Sequence, residues 1–131
     1  MARILLINDE PDLLEMCGLV LEGAGHEAVS AFGDSHALQL AHAENERPDV
    51  VLLDLVMPRV SGEEVFRRVR RSPDTARIPI VIMSALPDGE EITEEIGADA
   101  FLEKPFDPDA LLAAVSKALG IGLHRNTRSS R

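Results

Sequence analysis

Val50-Val51-Leu52-Leu53-Asp54-Leu55-Val56-Met57-Pro58 is the stretch on which the reading of this chain turns. Four uninterrupted apolar residues run straight into a carboxylate, and a proline follows four residues later. A strand with one wet face would alternate polar and apolar side chains, so an unbroken run predicts a strand covered on both faces of a parallel sheet. Ile4-Leu5-Leu6-Ile7 and Ile80-Val81-Ile82-Met83 have the same character, and Glu27–Ala31 and Ala100-Phe101-Leu102 are weaker strand candidates. Helical spacing lies between them: Leu14, Cys17, Leu21 and Ala24; a segment around Ala37, Leu38 and Ala41; Val65, Phe66 and Val69; Leu111, Leu112, Val115, Ala118 and Leu119. Asp88–Ile96 is the poorest helix, with only Ile92 and Ile96 apolar at i, i+4.

Punctuation supports the same order. Ser61-Gly62-Glu63-Glu64 and Asp88-Gly89-Glu90-Glu91 have the form of capping boxes, and Asp107-Pro108 supplies an N-cap with proline behind it. Gly25 and Gly120 are expected to stop helices. Five strand–helix units predict an α/β, doubly wound parallel sheet. Residues 1–120 form the expected domain, and 121–131 a polar basic tail or the start of a linker.

Composition narrows the function classes. The chain has 131 residues, 45% of them hydrophobic, which suits one domain and excludes a disordered chain. No apolar run approaches the roughly 20 residues of a membrane span, and the N-terminus lacks the pattern of a signal peptide. A single cysteine, Cys17, forms no intrachain disulfide and suits a cytoplasmic setting. The net charge is −10. Three of the 13 Lys and Arg lie beyond Ile121, where there is no acid, so residues 1–120 set 10 bases against all 23 acids. So acidic a surface repels a phosphate backbone, and no direct nucleic-acid binding is expected. The arginines at 67, 68, 70 and 71 are expected on a solvated helix face, Cys17 in the core, and the four histidines show no metal-ligand spacing.

In an open parallel sheet, ligands bind outside the carboxyl ends of the strands. There the sequence places Asn8-Asp9-Glu10, Asp54, Ser84-Ala85 and Lys104-Pro105. Oxygen ligands without His or Cys suit a hard cation such as Mg²⁺ together with a phosphate. Lys104 would pair with a phosphate oxygen, Ser84 would donate a hydrogen bond to it, and Asp54 is the natural nucleophile.

Asn8-Asp9-Glu10-Pro11, Asp54-Leu55-Val56-Met57-Pro58 with Gly62, Ser84-Ala85, and Gly97-Ala98-Asp99-Ala100-Phe101-Leu102-Glu103-Lys104-Pro105-Phe106 together resemble the receiver domain of two-component response regulators. The match runs in order over about residues 2–120. The resemblance implies a flavodoxin-like, five-stranded sheet of order 2-1-3-4-5 with five helices. It implies phosphorylation of Asp54 and a Mg²⁺ (or Mn²⁺) site on Asp9, Asp54 and the Val56 backbone carbonyl, with Asn8 reaching the metal through water. Ser84 and Lys104 fall at the positions that contact the phosphoryl group, and Ser84 and Phe101 at the switch positions. Lys104–Pro105 falls where the family has a cis bond. The one departure is Asn8, where the family most often has an acid.

The expected function is a signalling switch, not a turnover enzyme. A histidine kinase or histidine phosphotransfer protein would be the phosphoryl donor. The fourth helix, fifth strand and fifth helix would present the altered face to an output domain or downstream protein. One alternative is a protein-binding pseudo-receiver that is never phosphorylated, which Asn8 favours. A small aspartate-nucleophile phosphohydrolase is the other; Val56, where such enzymes carry a second aspartate, disfavours it.

Overall fold

The computed structural model describes residues 2–31, 43–58 and 60–129. Five strands, β1 (Arg3–Ile7), β2 (Glu27–Ala31), β3 (Val50–Asp54), β4 (Ile80–Ser84) and β5 (Ala100–Glu103), form one sheet in the order β2-β1-β3-β4-β5. Every pairing is parallel, with Ile7 opposite Leu53, Asp54 opposite Met83 and Ser84 opposite Glu103. The helices are α1 (Pro11–Gly23), α2 (helical residues 43–46), α3 (Gly62–Arg71), α4 (Gly89–Ile96) and α5 (Pro108–Ser129). The helix expected around Ala37, Leu38 and Ala41, with His36 and His42, lies outside the described residues.

Strand alternation divides the core in two. Ile4, Leu6, Leu52, Met83 and Leu102 face Leu14, Cys17 and Leu21 of α1 and Leu111, Val115 and Ala118 of α5. Leu5, Ile7, Leu53, Ile80 and Ile82 face Val65, Phe66 and Val69 of α3, with Ile92, Ile96 and Phe101 at the margin. Covering both faces keeps β3 and β4 buried along their whole length, and each large aliphatic side chain sealed there contributes about 1.5–3 kcal/mol. The outer strands are wetter: Glu27 and Ser30 of β2 and Glu103 of β5 are exposed.

Helix ends follow the sequence only in part. Gly25, at φ +90°, follows the C-cap Ala24 of α1; its N–H donates to Glu22 O (3.0 Å), and that of His26 to Leu21 O (3.0 Å). This is the Schellman pattern that a left-handed glycine permits. Asp107 Oδ1 accepts from Ala110 N (2.8 Å), the expected cap of α5. Ser61 and Asp88 are N-caps, yet neither makes the side-chain cap bond that the capping-box pattern implies. α4 buries Gly89 and Thr93 most deeply, and Ile92 and Ile96 are half-buried.

The largest difference is α5, which runs through Gly120 to Ser129 instead of stopping. Its later turns dock on the domain. A Cβ on Gly122 would meet Pro79 Cγ at 3.1 Å, and Arg125 Nη2 donates to Asp99 Oδ1. Asp99 also accepts from Arg70 Nη2 (2.5 Å) and Ile80 N (2.8 Å). Arg70 is therefore a structural residue, 5.0 Å above the Phe66 ring, and not part of a solvated face. Arg67 is exposed and pairs with Glu63 one helical turn away (2.7 Å).

Candidate functional site

The parallel sheet sends β1, β3, β4 and β5 to one edge, and alternation decides which way each terminal side chain points. Asn8 and Asp54 follow Ile7 and Leu53, which pair and point to the α3 side, so Asn8 and Asp54 stand side by side toward α1 and α5. Lys104, two residues past the inward Leu102, projects to the same side. Ser84 follows Met83 and points the other way, toward α4, as does Phe101.

Asp54 is 2% exposed. Its Oδ2 accepts from Lys104 Nζ (2.7 Å), and its Oδ1 from the Val56 N–H (3.2 Å). Lys104 Nζ also donates to Glu10 Oε1 (3.1 Å). Burial pushes the Asp54 carboxyl above the usual aspartate range, partly offset by the Lys104 hydrogen bond and charge. Burial alone would lower the Lys104 pKa. The bonds and charges of Asp54 and Glu10 together outweigh it and hold the ammonium above its ordinary value. Lys104 is thereby held as the charged partner of an Asp54 carboxyl whose basicity burial raises. A more basic carboxylate is the better nucleophile, and Lys104 is the fixed positive charge beside it.

Backbone contacts hold this carboxylate in place. A Cβ on Gly62 would lie 2.2 Å from Asp54 O and 2.6 Å from Leu55 Cα, so only glycine lets α3 begin against the end of β3. The Gly62 N–H donates to Leu55 O (3.0 Å), and an isolated antiparallel bridge joins Val56 to Ser61. Val56 is 58% exposed. Across the edge, Ser84 Oγ accepts from the Leu86 N–H (2.9 Å) and retains its own proton to donate. A Cβ on Gly89 would meet Ser84 Oγ at 2.9 Å and Phe101 Cε1 at 3.1 Å. The hydroxyl, the half-buried ring and the start of α4 thus form one packed unit. It is tied to the Asp54–Lys104 pair through the Lys104 N–H on Ser84 O (2.9 Å). The Lys104–Pro105 bond is cis.

Asp9, half-buried, lies in the turn between β1 and α1. Asn8 is 1% exposed; its Oδ1 accepts from the Glu10 N–H (2.7 Å), and its Nδ2 is buried with no hydrogen-bond partner. Among the described residues no group of three or more His, Cys, Asp or Glu gathers closely enough to hold a metal by itself. The metal ligands that the resemblance implies are Asp9, Asp54 and the Val56 carbonyl, completed by water. That all-oxygen set with two carboxylates fits Mg²⁺ and does not fit a soft ion.

The structure thus brings Asp54, Lys104 and Asn8 into one group and Ser84 with Phe101 into an adjoining one. Glu10 is the added member, the second partner of Lys104, signalled only by its place just after β1. Gly62 and Gly89 gain packing roles that a motif match alone does not give.

A family model described as the response regulator receiver domain matches residues 4–116. The chain is 37% identical over 125 residues to the DNA-binding dual master transcriptional regulator RpaA of Synechocystis sp., covering 91% of this chain and 49% of that protein. It is 32% identical over 124 residues to protein PilH of Pseudomonas aeruginosa, covering 91% and 98% respectively. Among solved structures, the chemotaxis protein CheY4 of Vibrio cholerae aligns with a TM-score of 0.81 at 30% identity, over 91% of this chain and 99% of CheY4. The chain spans about half the length of several curated relatives it matches, RpaA among them, and nearly all of PilH.

Proposed function

The chain belongs to the response regulator receiver domain family, and from that premise we infer that Asp54 accepts a phosphoryl group and that the domain works as a phosphorylation-controlled switch. The observation that carries this reading is the buried Asp54 carboxylate at the end of β3 with Lys104 Nζ 2.7 Å from its Oδ2. The donor is the phosphohistidine of a histidine kinase or histidine phosphotransfer protein. An Asp54 oxygen attacks phosphorus, the phosphorus–nitrogen bond breaks, and its electron pair returns to the imidazole, which takes up a proton. Lys104 keeps its proton and moves its charge from the carboxylate to a phosphoryl oxygen, where Ser84 also donates. Asp9, Asp54 and the Val56 carbonyl would hold a Mg²⁺ ion, which would supply further neutralisation of the phosphoryl charge.

Drawing Ser84 toward the phosphoryl group changes the space that Phe101 and Gly89 share with it. α4 is eight residues long and carries four glutamates, so few apolar contacts hold it and a small bias moves it. The face of α4, β5 and α5 is then what an output domain or downstream protein reads. Phe101 has no hydroxyl, so its two positions differ in packing alone. Among the described residues no helix is long and apolar enough to cross a membrane.

Asn8 is the one observation that favours a pseudo-receiver that binds partners without phosphorylation. Incubation with Mg²⁺ and a small-molecule phosphodonor, followed by intact mass, separates the readings. The switch gives one phosphoryl adduct that persists for minutes, and Asp54→Asn gives none. No adduct supports the pseudo-receiver, and continuous phosphate release supports a hydrolase. Amide exchange that stays unchanged across residues 84–106 on phosphorylation rules out the proposed switch.

A further inference from the structure

The Asn8 amide is sealed in the site with one end satisfied and the other orphaned. Its Oδ1 accepts from the Glu10 N–H at 2.7 Å. A backbone N–H only donates, so the atom facing it must be an oxygen, which settles the orientation of the amide. Nδ2 therefore points away from Glu10, buried and without an acceptor among the described residues. Asp54 stands on the neighbouring strand, but its oxygens are bonded to Lys104 and to the Val56 N–H instead. Native structures rarely leave a buried donor unpaired, and each such group asks for an explanation.

The orientation bears on the cation. An acid at this position would offer a second acceptor oxygen where Nδ2 now sits. Water bound to a divalent ion turns its lone pair to the metal and its protons outward, so it needs acceptors around it. Nδ2 presents protons to protons. To accept from such a water on the Nδ2 side, the amide must turn over, which breaks the bond to Glu10 and faces Nδ2 against that N–H.

Resting on the switch reading above, we propose that Asn8 is a positioning residue that disfavours tight cation binding through the fixed orientation of its amide, over and above its missing charge. Cation occupancy and the Asn8–Glu10 hydrogen bond are then mutually exclusive. In this chain the acceptor site holds Mg²⁺ loosely, and its occupancy responds to changes in free Mg²⁺ instead of staying saturated.

The two causes are separable because alanine is as neutral as asparagine but carries no donor. A charge effect alone makes Asn8→Ala bind Mg²⁺ as wild type does and Asn8→Asp about tenfold tighter. The amide effect makes Asn8→Ala bind roughly three- to tenfold tighter than wild type, the worth of one net hydrogen bond. Mg²⁺ titration by calorimetry at fixed ionic strength reads these affinities. In wild type, ¹H–¹⁵N spectra at saturating Mg²⁺ should show the Glu10 backbone N–H and the Asn8 side-chain NH₂ shifting together, a readout independent of how well Asn8→Ala folds. Equal or weaker binding by Asn8→Ala, or a Glu10 signal that stays in place, overturns the proposal. If none of the three proteins binds Mg²⁺, the cation part of the switch reading fails and takes this inference with it. An aspartyl phosphate that still forms would leave the phosphoacceptor reading intact.

Discussion

Gly62→Ala should be among the most damaging single-methyl additions in the molecule. The added Cβ would sit 2.2 Å from Asp54 O, 2.6 Å from Leu55 Cα and 2.9 Å from Leu55 O. Carbon and oxygen approach comfortably at about 3.3–3.6 Å, so the start of α3 must retreat by roughly 1 Å. All three obstacles are backbone: Asp54 ends a strand buried between neighbours on both sides, and Leu55, just past it, is tied to Met83 O by its N–H (2.9 Å), so neither yields. Retreat of α3 loosens Val65, Phe66 and Val69 against the sheet. Overpacking usually costs about 1–3 kcal/mol, and a clash with fixed backbone belongs at the top of that range. About 3 kcal/mol corresponds to roughly a 10 °C fall in Tm for a chain of this size. Because α3 also fixes the end of β3, phosphoryl transfer to Asp54 should slow even where the variant is fully folded. Thermal and urea unfolding by circular dichroism, with adduct formation followed by mass below the transition, checks both. A loss under about 1 kcal/mol with unimpaired adduct formation would refute the close-approach argument.

Three further outcomes follow from the packing. Gly120 lies inside α5 with nothing within 4 Å of an added Cβ, so Gly120→Ala should raise stability by about 0.5–1 kcal/mol; a loss in urea unfolding would mean that the helix ends there after all. Asp99→Asn takes the anion from between Arg70 and Arg125 and should cost about 3 kcal/mol, with amide exchange across residues 121–129 accelerating; unchanged exchange would contradict the docking of α5. Burial pushes the Cys17 thiol from 9.0 up to about 11. The native state therefore favours the protonated thiol, and that stability is present below pH 9 and lost as pH rises toward 11, by about 1.4 kcal/mol per pH unit. Wild type should thus lose urea resistance over that window faster than Cys17→Ala, and parallel curves would refute a sealed thiol.

What the sequence disclosed depended on how many faces of an element are covered. β1, β3 and β4 are sealed on both sides and read plainly from their apolar runs. β2 and β5 lie at the sheet margins, where Ser30 and Glu103 meet solvent and dilute the signal. α5 was harder because Gly120 carries a stop signal that a helix interior also tolerates at modest cost. What holds its last turns, Gly122 against Pro79 and Arg125 on Asp99, are tertiary contacts with no local pattern. The gathering of Asp54, Ser84 and Lys104 at one edge is legible because parallel topology delivers strand ends there. The reach of Glu10 to Lys104, 94 residues away in the chain, is not, nor is the orientation of the Asn8 amide, which one backbone N–H decides.

The central claim is that Asp54 is the single acceptor of a phosphoryl group. The most direct measurement is reductive trapping of the phosphorylated protein with borohydride, which converts an aspartyl phosphate to homoserine, followed by peptide mass spectrometry. The account predicts homoserine at position 54 alone. A product at Asp9 or Glu10, or none at any position from protein that carries a phosphoryl group, would contradict it.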